Sequence, residues 1–463
     1  MQHCEICIIG AGPAGIAVAA KLKQLGFNIL VIEQNDSNRN LPVESLSPGV
    51  FALLEGMGLK MNLPSATLMK PGQLFQKWGH KIVHLENLSL ALVDRGKFDY
   101  QLLSAAKNLG VKVLQPAKVV FLQEMDHGWE IRVLIKGKYE KIKAGFLVDA
   151  SGRRSILKGR KKRAAAPTLA ICGGWKNTVF PHPSMMIESA PNHWIWGGTL
   201  SNEIFSASVF LDPDIDFVGA GKPLLDFYTS ALERATIFNY SKKAELAGRI
   251  STFDVTPYYY DNPAGPNFIK VGEANFGLDP LSSQGVQSAI SNAIQGAITV
   301  NSILTDPGNF SDALEFYKQR QQETIENHLE MTSRSYREAA GWEEHLFWRK
   351  RTGIDQAPIK TSIKETGPWV QSKKVQFSDE SLLIPTTCII QDKVTRKIAL
   401  VHPGLKRPVV FWDNQEIDSI IHNTKGIYSI SDLISKWTEK ISRSSSLRLF
   451  HWLKEAKVIV SAN

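Results

Sequence analysis

Cysteine is scarce in this chain, four in 463 residues, which excludes a disulfide-stapled scaffold and fits a reducing compartment. Cys4 and Cys7 form a C-x-x-C, but it lies inside the apolar run CEICIIG. Residues three apart on a strand face opposite sides, so the pair is expected to pack in a core and to share neither a disulfide nor a metal. No other Cys or His cluster has ligand spacing, so no metal is expected. There is no run of 18 apolar residues, and no charged, cleavable leader precedes the first strand. The expectation is a soluble, cytoplasmic protein without membrane contact. A lysine-arginine tail is also missing, so the net charge of +9 favours anionic ligands or partners and makes nucleic acid an unlikely one. No internal repeat or low-complexity tract is present, and 43% hydrophobic with 21% charged residues is an ordinary globular balance.

What is present begins with a compact β-α-β pattern. An apolar strand, Ile6 to Ile9, runs into GAGPAG, then a helix from Ala14 to Leu25, Gly26 as its stop, and a strand from Asn28 to Ile32 ending at Glu33. Gly10, Gly12 and Gly15 permit a tight turn and close backbone approach, so the N–H groups of the helix N-terminus can meet a pyrophosphate. Glu33, 18 residues after Gly15, sits where an acid accepts hydrogen bonds from ribose hydroxyls and disfavours a 2′-phosphate. This is the opening of a doubly wound α/β sheet that binds a dinucleotide.

Residues 117–148 alternate as an antiparallel ribbon, and 166–260 turn to Trp, Pro and Phe with strand-like runs. The expected organisation is a discontinuous dinucleotide-binding domain (1–165 and 261–350) with an inserted antiparallel-sheet substrate domain (166–260). A linker (351–387) and a small winged-helix-like module (388–463) follow. The strongest basic run, RRSILKGRKKR, has seven cations from Arg153 to Arg163. It reads first as a solvated loop, and otherwise as a surface for a nicotinamide phosphate or an acidic partner.

Two further blocks match the first in style. FLVDASGRRS is a strand ending at Asp149 with Gly152 beyond, and VGEANFGLDPLSSQG ends a strand on Gly272-Glu273, turns at Asp279-Pro280 and opens a helix near Ser283 through Gly285. With GAGPAG, these resemble the flavoprotein monooxygenases of the aromatic hydroxylase type, together with flavin-dependent halogenases and geranylgeranyl reductases. The resemblance covers roughly residues 1–345. It implies a Rossmann-like FAD-binding domain with FAD as cofactor. All three blocks would contact FAD, Glu273 at a ribityl or ribose hydroxyl, and the helix after Gly285 would aim its positive end at the flavin. The block VDRGKFDYQLLSAA implies Arg95 near FAD.

Within that family NHWIWGGTL, LDPLSSQG and PVESLSP resemble segments of the tryptophan halogenase branch. The halogenase lysine falls on Leu74 in an ungapped match made on Trp78, with Lys70 and Lys77 nearby, and Lys70 is retained as a catalytic candidate. Glu44 is the acid/base candidate because it lies in a loop, although it equally reads as a loop acid or an FAD hydrogen-bonding partner. Trp175, Trp194 and Trp196 form a substrate wall or else belong to the core of the second domain.

The C-terminal stretch resembles the small PqqD-like fold that recognises precursor peptides. Residues 366–463 carry 14 Lys and Arg against 9 Asp and Glu, a surface able to hold an acidic peptide, with winged-helix binding of DNA as the competing reading. Together the two halves resemble maturation flavoproteins of tryptophylquinone enzymes. The implied function is FAD-dependent hydroxylation of a tryptophan in the precursor polypeptide of a quinone-cofactor enzyme. O₂ would be co-substrate, and NAD(P)H or a partner reductase the electron donor. The alternatives are hydroxylation or halogenation of a free aromatic compound, prenyl reduction, and a redox sensor with a DNA-binding wing.

Overall fold

The computed structural model describes residues 2–36, 43–61, 68–178, 184–199, 204–216, 221–238, 244–339, 341–352, 373–424 and 426–462. β1 (Gln2–Ile9), α1 (Pro13–Gln24) and β2 (Ile29–Ile32) form the expected unit, with β1 and β2 parallel from Ile6–Ile29 to Ile9–Ile32. All four residues of each pair are buried, as in a parallel sheet covered on both faces.

The sheet has seven strands. On one side of β2 lies β8 (Lys112–Leu114); beyond β1 come β11 (Lys138–Asp149), β10 (Gly128–Ile135) and β9 (Lys118–Met125), while β20 (Phe268–Lys270) also pairs with β11. The expected ribbon is therefore one end of the same sheet. Three long helices are associated with this region in the chain: α5 (Gly285–Thr305), α6 (Phe310–Arg337) and, earlier, α3 (Arg95–Asn108); α7 (Leu346–Thr352) is short.

Cys4 and Cys7 are free thiols that pack in the core as expected, and only the premise that they face opposite sides changes. Glu5 and Ile6 both donate their N–H to the Asn28 carbonyl, at 3.0 and 3.3 Å. The register of β1 on β11 is unbroken through this point, from Cys4–Ala144 to Ile6–Phe146. Cys4 packs against the same core cluster that contains Cys7. A hydrogen bond between the thiols holds Cys4 below the ordinary thiol range and raises Cys7, which is wholly buried. Among the described residues no group of His, Cys, Asp and Glu could hold a metal ion.

The second sheet has eight strands: β17 (Glu245–Leu246), β13 (Leu169–Lys176), β16 (Phe205–Leu211), β15 (His193–Thr199), β14 (Ser184–Ala190), β5 (Gln73–Trp78) and β6 (Lys81–Glu86), with β18 (Ser251–Asp254) also on β13. It is wider than the inserted segment, because residues 73–86 join it through a parallel β14–β5 pairing. α4 (Lys222–Arg234) packs on one face, its Tyr228 and Leu232 meeting Trp175, Ile195, Phe205 and Val209 of the sheet. A three-stranded sheet of β3 (Val43–Leu46), β7 (Ala91–Asp94) and β4 (Leu68–Met69) lies in the same compact unit, and α2 (Pro48–Gly56) follows β3 in the chain. A further one joins β12 (Lys161–Arg163), β19 (Tyr258–Tyr260) and β21 (Phe276–Gly277).

Two compact units emerge: Met1–Leu304 with Tyr317–Ala357, and Thr305–Phe316 with Pro358–Asn463. Both sheets belong to the first. The second contains β22 (Lys374–Phe377), a hairpin of β23 (Leu382–Ile390) and β24 (Lys393–Val401), α8 (Ile417–Ile421), β25 (Tyr428–Ser429), α9 (Ile430–Thr438), α10 (Arg443–Glu455) and β26 (Ile459–Ser461). Its core gathers Trp437, Leu449, Phe450, Ile417 and Leu453. The expected linker is shorter than 351–387: Arg351 and Thr352 end α7 and are buried, and β22 and β23 begin before residue 388. Residues 353–372 lie outside the described residues. No described helix is long and apolar enough to cross a membrane.

Candidate functional site

The glycine turn between β1 and α1 is shaped by close approach. Gly10 has φ +107°, and a Cβ there would lie 2.3 Å from the Ala150 carbonyl oxygen; a Cβ on Gly15 would lie 1.9 Å from the Gly10 oxygen. Neither position admits a side chain without moving backbone. Gly12 differs: a Cβ would meet nothing within 4 Å, and as N-cap of α1 it offers no side-chain acceptor to the first amides. An open, uncapped helix N-terminus is the condition for a phosphate cradle.

Beside it, Ala11, Glu33, Asp36, Gly96, Asp99, Tyr100, Leu103 and Gln115 line a small, half-open pocket. Buried Glu33 accepts from the Ala11 N–H at 2.8 Å and from the Asn35 N–H at 2.8 Å, which fixes its carboxylate at the end of β2. These residues fit a dinucleotide, with the pyrophosphate at Gly10–Gly15 and a ribose at Glu33.

The second and third blocks serve this cradle indirectly. The Asp149 carboxylate accepts from Ser151 N and Oγ, Ser155 Oγ and Leu157 N, at 2.6 to 3.0 Å. It is spent on shaping the loop that carries Gly152 (φ +80°), so any contact there with a cofactor falls to the loop backbone. Gly272 (φ +58°) presses against α1, where a Cβ would sit 2.5 Å from Ala14 Cβ, and its N–H donates to Asn292 of α5 at 2.9 Å. Glu273 is half-exposed and pairs with Arg153 at 3.1 Å.

Asp279 is buried and caps a short 3₁₀ turn, Pro280–Ser282, accepting from Leu281 N. The Tyr336 hydroxyl lies 3.1 and 3.0 Å from its two oxygens, and its own N–H donates to His328 Nε2 at 2.9 Å. Burial raises the Asp279 carboxyl and lowers His328 to about 4. Asp279-Pro280 is thus a braced turn, and α5 begins two residues later than expected, at Gly285, after Ser283 in the left-handed region. The Ser47 hydroxyl, at the N-cap of α2, donates to Gln287 in the first turn of α5, so these two helix starts meet.

Arg95 is held by two carboxylates: Nη1 donates to Glu44 at 2.8 Å and Nε to Asp99 at 3.1 Å. Burial opposes its charge, but Glu44 and Asp99 together raise its pKa. Glu44 lies on β3, opposite Val93, and is therefore in a strand where a loop was expected. Lys70 directly follows β4, on the other side of β7, and is exposed. Lys77 is committed elsewhere: its Nζ donates to buried Glu188 at 3.1 Å and to Thr236.

The three tryptophans do not form one wall. Register places Trp196 opposite Ser208 and Ser208 opposite Cys172, so these three share a face of the large sheet. Trp175, three residues after Cys172, points the other way and donates to Tyr228 under α4 at 3.0 Å. It is core. Trp194 shares the Trp196 face but is almost wholly buried, stacked on Phe210 at 3.8 Å and set edge-on to Trp78. Trp196 is partly open and packs with Leu92 and Met185. Burial first, then the nearby Glu44 charge, push the Cys172 thiol up to about 11 against a hydrogen bond from Ser208. Cys172, Ser208 and Trp196 thus form one row across this face.

Sequence reasoning missed His328, Tyr336, Gln287, Ser208 and Lys270. His328, Thr332 and Tyr336 recur every four residues on α6 and are all buried, a polar stripe legible as a helix face. Lys270, fully buried, donates to Ser155 and to the Leu157 carbonyl and sits 3.8 Å above the Tyr260 ring; nothing in the strand FIK announces this.

Residues 3–198 match the FAD binding domain family. The chain is 27% identical over 337 residues to a tryptophan 2-halogenase of Chondromyces crocatus, covering 68% of this chain and 64% of the halogenase. It is 24% identical over 380 residues to a putative FAD-dependent oxidoreductase, LodB, of Marinomonas mediterranea, covering 76% and 97%. Its fold is that of the peptidyl tryptophan dihydroxylase QhpG, essential for tryptophylquinone cofactor biogenesis (TM-score 0.78, 22% identity, 98% and 99% covered). It is also that of the flavin-dependent halogenase CmlS (TM-score 0.81, 16% identity, 100% and 96% covered).

Proposed function

We propose that this flavoprotein is a monooxygenase that adds oxygen to a tryptophan side chain of a precursor polypeptide during maturation of a quinone cofactor. The supporting observation is Trp196, which alone of the three candidate tryptophans is partly open, on a face of the second sheet that it shares with the small residues Cys172 and Ser208. Likeness to QhpG and LodB supports the same reading.

Bound FAD would activate O₂ once reduced, and the balance for each oxygen added is R–H + O₂ + NAD(P)H + H⁺ → R–OH + H₂O + NAD(P)⁺. The chain's own residues bind and orient. Gly10–Gly15 and Glu33 hold the dinucleotide, and the Asp279–Tyr336–His328 brace fixes the turn before α5. Glu44, paired with Arg95 at 2.8 Å, is the acid/base candidate for the proton the ring loses. The electron donor is NAD(P)H, directly or through a partner reductase. The small C-terminal unit, with its excess of basic residues, is read as a PqqD-like module that recognises the precursor.

Halogenation is the second reading. Lys77 is sequestered by Glu188, but exposed Lys70 directly follows β4 of the small sheet that carries Glu44.

The test is intact-mass analysis of a candidate precursor incubated with holoenzyme, reductant and O₂. One or two added oxygens on a tryptophan, lost when FAD is not reduced, support the proposal. No gain on the precursor, with a bromide- or chloride-dependent product from a free indole that Lys70→Met abolishes, would replace it with halogenation.

A further inference from the structure

The basic run from Arg153 to Arg163 is left unused by the site described above, and the structure divides it into two parts. Arg153 is half-buried and committed: it pairs with Glu273 at 3.1 Å and Asp254 at 3.9 Å, donates to the Thr256 carbonyl, and lies over the Tyr258 ring. Lys162 faces Asp261 at 3.9 Å. Arg154, Lys158, Arg160, Lys161 and Arg163 are exposed, and among the described residues none has a carboxylate within 4 Å.

These cations are organised by β12, an edge strand. Its one neighbour among the described residues is β19, with Lys161, Lys162 and Arg163 opposite Tyr260, Tyr259 and Tyr258. The Arg160 carbonyl and Ala164 N–H bond inward to Asp261 and Pro257. In an antiparallel ladder inward-bonding residues alternate, so residues 160, 162 and 164 face β19 while Lys161 and Arg163 turn their N–H and C=O groups outward. Their side chains share one face, two residues apart. Lys161 lies 3.8 Å over Tyr258, whose hydroxyl donates to the Glu273 carbonyl, and partial burial followed by the Arg153 charge hold its ammonium below the usual lysine range. An arriving anion would relieve that repulsion.

We propose that β12 docks an acidic, extended segment of the polypeptide substrate, which adds as a strand along its free edge and sets carboxylates against Lys161 and Arg163. The occupant rests on the reading of a polypeptide substrate given above. Charge complementarity argues for it: five unpaired cations in ten residues, on an edge that still has hydrogen bonds to give. Such an edge is normally protected from pairing by its lysines, and an acidic strand is what that protection does not exclude. A dinucleotide phosphate is the weaker match, because nucleotides are held in concave sites and by helix N-termini, whereas this is an open edge.

The test uses full-length holoenzyme and a fluorescent peptide of alternating Glu and Thr, with its Gln-Thr counterpart as control. The acidic peptide binds and the control does not. Affinity falls about tenfold or more from low to high salt, and by a similar factor in Lys161→Gln/Arg163→Gln, whose FAD content stays that of the wild type. Equal binding of the two peptides, or unchanged binding by the variant, overturns the proposal. Displacement of the peptide by NADPH or inorganic pyrophosphate at comparable concentration also overturns it, in favour of a phosphate site. Oxidation of the precursor is followed separately. A raised KM with unchanged kcat in the variant supports docking. Wild-type oxidation kinetics in the variant overturn docking while leaving the proposed function intact. Peptide binding without any precursor oxidation overturns the proposed function, and with it the identity of the occupant.

Discussion

The two faces of the eight-stranded sheet carry different chemistry on the same strands. Under α4, Ile171, Trp175, Ile195, Phe205, Val209, Leu211 and Tyr228 interlock into a closed core. On the other face the rows run Ala170–Phe210–Trp194, Cys172–Ser208–Trp196 and Gly174–Ser206–Gly198, large rings giving way to small residues. One face is closed under α4, and on the other, which also holds a buried aromatic cluster, Trp196 stays partly open. The alternation of a strand is what allows stability and recognition to be set independently.

The largest expected effect comes from breaking the filled face. Phe205→Ala leaves a cavity among Val209, Phe238 and Tyr228 and should cost about 3–5 kcal/mol, seen as a fall in the denaturation midpoint with an unchanged flavin spectrum in the folded fraction. If the flavin environment changed at equal foldedness, the two faces would not be independent.

Acid should act behind the other face. His328 has a folded pKa of about 4 because it is buried, and its Nε2 must stay unprotonated to accept from Asp279 N. Its ordinary value is about 6.5. The unfolded chain therefore binds the proton first: the stability contribution is complete above about 6.5 and declines as pH falls toward 4, by up to about 3 kcal/mol. His328→Gln should flatten that part of the pH–stability curve, measured by denaturant titration at pH 7 and 5.

Filling the open face should reverse the balance between stability and activity. Ser208→Phe is expected to cost about 1–3 kcal/mol through overpacking, yet to abolish product formation while FAD reduction persists. The smallest effect is Trp175→Phe, which removes the hydrogen bond to Tyr228 for about 1 kcal/mol and leaves turnover unchanged. A turnover defect there would return Trp175 to the substrate wall.

The cofactor cradle was legible because it is local. Gly10, Gly12, Gly15 and Glu33 lie within two dozen residues, and their roles follow from backbone sterics and the end of one strand. Asp149 and Asp279 were legible as positions of interest, but not as what they are. Whether a carboxylate meets a cofactor or its own loop depends on which donors fold around it, and both are engaged by Ser151, Ser155, Leu157, Leu281 and Tyr336. The tryptophans failed for a related reason. Parity within a strand can be counted, but the face that Trp175 shares with residues of β16 is fixed by cross-strand register.

By itself the sequence determined the dinucleotide cradle, the order of the three blocks, and the strand-rich insertion, since each rests on short-range periodicity or on glycine at a forced conformation. Only the tertiary structure decided that residues 73–86 complete the second sheet, that Lys77 is consumed by Glu188, that Glu44 pairs with Arg95, and that Cys172, Ser208 and Trp196 come together. Those outcomes depend on pairings between residues tens to more than a hundred positions apart, and no local pattern encodes which distant partner a strand or a charge will find.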